Sequence, residues 1–148
     1  MTDFASPAQR ACYERVAGLL RELYGEGLMV DATTPSFGVR VGSAWVNVWV
    51  RPGAAGGPVV ITRAWLVTGT DLTPDFLHHL LSEAAKPAFA AYGLDAANDV
   101  YLEHSLPGEG VTLPQVRASV EAVAAEADRA DDMIVARFGG IRMTDKRV

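Results

Sequence analysis

Between Phe37 and Val50 the chain alternates about the pair Gly42-Ser43 as a two-stranded hairpin does. Folding there puts Phe37, Val39, Val41, Ala44, Val46, Val48 and Val50 on one face and Arg40, Trp45, Asn47 and Trp49 on the other. Glycine at the first central position suits a type II′ turn, which sets Val41 opposite Ala44. The first face reads as plain core. The second mixes two tryptophans with polar groups, which suits neither a dry interior nor an ordinary solvated surface.

The flanking patterns complete a set of elements. Ser6-Pro7-Ala8-Gln9 has the form of a capping box, and Cys12, Val16, Leu19, Leu20 and Leu23 recur at helical spacing, predicting a helix from Pro7 to Tyr24 that stops at Gly25 or Gly27. Leu28 to Val30 begins an extended segment. The glycine-rich stretch 51–58 connects strands and is no phosphate loop, because no Gly-Lys-Ser/Thr follows it. Val59 to Val67 reads as a third strand, antiparallel to the second. Its connection leaves the register open, so Val59, Ile61, Arg63, Trp65 and Val67 are assigned to neither face.

Thr73-Pro74-Asp75 starts a second helix with a stripe of Phe76, Leu77, Leu80, Leu81 and Ala84, ended by Lys86-Pro87. Phe89, Tyr92 and Leu94, then Val100, Tyr101 and Leu102, form a second hairpin about Asp95 to Asn98. Thr112 to Gln115 opens a final helix whose stripe (Val116, Val120, Val123, Ala127, Ala130, Ile134, Phe138) reaches Gly139-Gly140. At ~1.5 Å per residue, its roughly 26 residues make a rod of about 39 Å. The expected fold is α+β: an antiparallel sheet of about five strands with helices packed on it, in the order α-β-β-β-α-β-β-α. Residues 1–140 are expected to form a single domain, with 141–148 a mobile tail.

Composition narrows the function classes. With 148 residues, 49% hydrophobic and 21% charged, the chain can bury one ordinary core. No run of 18 apolar residues occurs, and the start lacks the basic and apolar regions of a signal peptide, so a cytoplasmic setting is expected. The net charge of −5 argues against a general nucleic-acid or anionic-membrane surface. Cys12, the single cysteine, excludes an intramolecular disulfide and falls on an apolar stripe, where a buried thiol is a small hydrophobe with a raised pKa.

The candidates for chemistry are thin. His78 and His79 point about 100° apart on a helix, and His79 with Glu83 lacks a third ligand, so neither a metal nor another cofactor is expected. Glu103 and His104 face opposite sides of a strand. Asp131 and Asp132, with Glu121, Glu126 and Asp128, read as a solvated helix face. No GxSxG, HExxH, GxGxxG or Walker pattern occurs, which disfavours an enzyme. The tryptophan face stands out, since two or three indoles at ~150–250 Å² each exceed or match the ~300–600 Å² patch usual on a monomer.

The element order, with Val100 to Gly108 (VYLEHSLPG) and Ala127 to Gly140 (ADRADDMIVARFGG), resembles the YbjN and type III secretion chaperone-like (CesT-like) superfamily. The resemblance implies a twisted antiparallel sheet with helices on it, and small, acidic, cytoplasmic, often dimeric proteins that bind extended client segments without catalysis. It supplies no catalytic residue. The leading expectation is a non-enzymatic chaperone-like or adaptor domain that takes an extended peptide against Arg40, Trp45, Asn47 and Trp49, joined by Trp65 if the register allows, or along a sheet edge. A homodimer is a second expected assembly. The alternative is a small-molecule-sensing regulatory protein with a pocket between sheet and helices.

Overall fold

Local rules place most boundaries. The computed structural model describes residues 1–55, 57–87 and 89–146, and all statements below refer to these. Ser6 Oγ accepts the Gln9 N–H at 3.1 Å and Pro7 takes the first helical position, so α1 runs Pro7–Tyr24 and closes on Gly25 at φ 55°. Strand β1 (Met29–Val30) leads to β2 (Ser36–Val41), β3 (Ala44–Pro52) and β4 (Pro58–Thr68). Helix α2 (Pro74–Glu83), capped by Thr73, precedes β5 (Ala91–Leu94) and β6 (Val100–Pro107). Helix α3 (Leu113–Phe138) is opened by Gln115, whose side chain accepts the Thr112 N–H at 2.9 Å, and β7 (Ile141–Arg142) follows it.

The strands form one antiparallel sheet in the order β1-β2-β3-β4-β6-β5, with β7 pairing β4 beside them. The expected α+β class and element order hold, with seven strands in place of about five. The two additions, β1 and β7, are two residues long and too short to carry a periodic signal. β7 also changes the reading of the tail. Ile141 pairs Thr68 and Arg142 pairs Val67, while the Arg142 guanidinium reaches Asp132 and Asp145, each at 2.7 Å. Residues 147 and 148 lie outside the described residues.

The Gly42-Ser43 hairpin forms as predicted, with Val41 opposite Ala44, Gly42 at φ 60° and Ser43 outside the left-handed region. Its valine face is the floor of the core: Val46, Val48 and Val50 are fully buried. Helices α1 and α3 both lie on that face, contributing Val16, Leu20, Val120, Val123 and Ile134. α3 thus packs against sheet and α1 together, so its buried stripe is wider than the minimum and includes Ser119, Ala124 and Asp131.

Three side-chain assignments change accordingly. Asp131, expected in solvent, is buried, and that burial pushes its carboxyl above the usual range. Of the neighbouring acids, Glu126 pairs with Arg129 and accepts the Tyr92 hydroxyl at 2.8 Å, and Asp132 pairs with Arg142. On α2, Leu81 is 78% exposed and His79 is buried in its stead. The helix is rotated so that Phe76 and His79 meet Phe138, at ring-centre distances of 4.9 and 5.0 Å.

Candidate functional site

The register of β4 decides which side chains share the tryptophan face. Asn47 opposes Arg63, Trp49 opposes Ile61 and Arg51 opposes Val59. On its other side β4 sets Trp65 against Tyr101, Arg63 against Glu103 and Ile61 against Ser105. Alternation then puts Trp45, Asn47, Trp49, Ile61, Arg63, Trp65, Tyr101 and Glu103 on one side of the sheet, opposite the helices. Val67 leaves this set. Between Trp65 and Val67 the β4–β6 register shifts by one residue, so Leu66 and Val67 both turn inward and are buried.

The centre of the face is a cation held among rings. The Arg63 Cζ lies 3.9 Å from the centre of the Tyr101 ring, 5.3 Å from Trp65 and 5.6 Å from Trp49. Its Nε and Nη2 both donate to Glu103 Oε2, the former at 2.7 Å. Trp49 and Trp65 meet edge to face, 5.7 Å apart at 81°. The Trp65 indole N–H donates to Asp95 Oδ2 at 2.9 Å. That bond, ahead of backbone N–H groups of the turn and the Arg63 charge, holds the Asp95 carboxyl below its ordinary range.

A second group sits toward β2. Trp45 lies before the first β3–β4 pair, at Asn47, and its ring lies across Gly38 of β2. A Cβ at Gly38 would drive into that indole, a close approach only glycine permits. Trp45 remains 40% exposed and donates its N–H to Asn47 Oδ1 at 3.2 Å, with exposed Arg40 paired across from it. At the far end of β3, Arg51 lies over Trp49 at 5.6 Å. There, Asp3, Gln9, Thr34, Pro35, Trp49 and Arg51 line a groove of about 330 Å³.

The five residues singled out in the sequence thus share one face of the sheet, divided between the Arg63-centred cluster (Trp49, Trp65) and the Gly38 end (Arg40, Trp45, Asn47). Tyr101, Glu103, Asp95 and Arg51 complete it. The alternation of Tyr101 and Glu103 against Val100 and Leu102 was visible in the sequence, but the pairing of β6 with β4 across an intervening helix was not.

The residues weighed for catalysis do not converge. Glu103 belongs to the open face, whereas His104 points inward to Ser119 Oγ at 2.8 Å, and Asp131 is on α3. Cys12 is buried, which raises its thiol pKa, and its Sγ faces the Gly108 carbonyl. Among the described residues no group of three or more His, Cys, Asp or Glu is placed to hold a metal ion, and no helix is long and apolar enough to cross a membrane. The layer between sheet and helices, where a small-molecule pocket was the alternative, is occupied by the fully buried Val46, Val48, Val50, Val60 and Val120.

The profile of the family described as TY-Chap1, "T3SS (YopN, CesT) and YbjN peptide-binding chaperone 1", matches residues 11–146. A chain in the structure of the HopA1-SchA chaperone-effector complex is similar in fold, with a TM-score of 0.62 at 15% identity over 83% of this chain and 96% of that one. The structure of YbjN from E. coli is similar with a TM-score of 0.54 at 15% identity, covering 82% of this chain and 92% of that one. No curated protein matches the sequence.

Proposed function

The chain belongs to the TY-Chap1 family of T3SS and YbjN peptide-binding chaperones, and from that premise we propose that it binds an extended segment of a client protein on the open face of its sheet. The observation that carries this reading is that the helices pack on the valine side, leaving Trp45, Trp49, Trp65 and Tyr101 without a helix above them. A sheet face of rigid aromatic rings holds contact area at little entropic cost, because Arg63 and Gly38 already fix the indoles. Arg40 and Asn47 orient the client at one end. The protein acts without catalysis, in the cytoplasm. A homodimer belongs to the same reading: Leu81 on α2 and Phe89 ahead of β5 are exposed and apolar.

The test begins with proteins that co-purify with the native chain, narrowed to a segment on overlapping synthetic peptides. That segment should bind the wild-type chain and lose at least about thirtyfold in affinity on Trp45→Ala with Trp49→Ala, since a buried tryptophan anchor contributes ~2 kcal/mol or more. The circular-dichroism melt of the double variant should stay cooperative. A collapsed melt, or unchanged affinity, would remove the face from function. Sedimentation of the same native sample reports the dimer.

A further inference from the structure

Resting on the reading of the open face as a peptide site, we propose that it selects extended segments whose apolar residues are flanked by carboxylates. The charges on this face set the preference. Arg63 is neutralised by Glu103 and held by three rings, so it is part of the floor. Arg40 and Arg51 are different: both are exposed, and neither forms an ion pair among the described residues. They mark the two ends of the aromatic stripe, Arg40 across from Trp45 and Arg51 two positions beyond Trp49.

Spacing makes this a pattern. From Trp45 to Arg51 β3 advances six positions, about 20 Å at ~3.4 Å per residue. An extended ligand lying along β3 presents every second side chain downward. With its first residue level with Arg40 and Trp45, such a ligand sets its third and fifth side chains over Asn47 and Trp49 and its seventh at Arg51, so a segment of about seven residues with acids at its ends and apolar side chains between fits the stripe. Both cations are arginines, whose planar fork takes a carboxylate by two parallel hydrogen bonds. Arg51 is held in place by the Trp49 ring beneath it. The chain as a whole carries −5, so an acidic segment is repelled by the remaining surface and drawn to this end-marked stripe.

The probes are three fluorescein-labelled peptides of about seven residues, alike in leucines at the third and fifth positions and serines between, with aspartates, serines or lysines at both ends. Fluorescence polarisation should rank aspartate above serine above lysine, with about a tenfold gap between aspartate and lysine that narrows as salt is raised. Arg40→Gln with Arg51→Gln should erase the gap. Equal affinities for the three, or a gap that survives the double variant, would overturn the charge selection. If these equal affinities are all lost in Trp45→Ala with Trp49→Ala, the peptide site itself stands and only the selection falls. No binding by any peptide overturns both. An oligothymidylate that displaces the aspartate peptide at physiological salt would also overturn the inference, assigning the face to single-stranded nucleic acid.

Discussion

Replacing Arg63 by methionine keeps the aliphatic stem and removes the guanidinium, which isolates what the half-buried cation does for the open face. The three ring contacts share one cation and do not add; each alone contributes ~0.5–1 kcal/mol at a partly exposed site. The pair with Glu103, whose side chain and that of Arg63 are 26% and 19% exposed, contributes on the order of 1 kcal/mol more, and its loss leaves a half-buried carboxylate without a partner. Together these give a loss of about 2 kcal/mol. With a urea dependence of ~2 kcal/mol/M, the unfolding midpoint of Arg63→Met should fall by about 1 M, followed in parallel by circular dichroism and by tryptophan emission. The Glu103→Gln single and the double variant complete a cycle, with an expected coupling of ~1 kcal/mol. A midpoint for Arg63→Met within about 0.2 M of wild type would refute the reasoning, and would mean that the rings are held by their own packing alone.

Two further outcomes follow from the geometry. Gly38→Val forces the Trp45 indole off β2; because that ring can swing into solvent, the expected cost is only ~1 kcal/mol, but iodide quenching of tryptophan should rise, and unchanged quenching would contradict the stacked arrangement. Asp131→Asn should stabilise the fold by roughly 1 kcal/mol at neutral pH. The sign follows from burial: with its pKa raised in the folded state, the carboxyl favours folding while protonated, and that contribution is lost as pH rises through the folded value. The gain from asparagine should therefore vanish as pH falls below the unfolded value near 3.8, as read from urea midpoints at neutral and acid pH; a less stable variant at neutral pH would be the contrary result.

How far the sequence reached depends on what fixed each register. The hairpin about Gly42-Ser43 was readable to the residue because a two-residue turn leaves no freedom in pairing, and α1 and α3 were readable because caps and glycines bound them. The face of Trp65 was not readable, since the loop between β3 and β4 imposes no pairing. Tyr101 joins the site through a contact that spans α2 and the second hairpin, which no local pattern encodes. Asp131 misled for another reason: it lies beside Ala130 on a helix that is buried on two sides, and periodicity alone gives the centre of a stripe but not its width. Leu81 and His79 differ likewise by a rotation of α2 that Phe138, far along the chain, sets.

The extra residue at Leu66 works as a clutch between two gearings of the same strand. Upstream of it β4 keeps one step with β6, so Trp65, Arg63 and Ile61 stay in the aromatic stripe; downstream it pairs Val100 of β6 one residue out of phase and takes Arg142 of β7 on its other side, so Val67 stays in the core. Drift in one half therefore need not be transmitted to the other. The end of β4 and the segment after α3 can therefore change length without displacing the aromatic half of the strand. This corner of the domain can thus be reshaped without shifting the aromatic stripe.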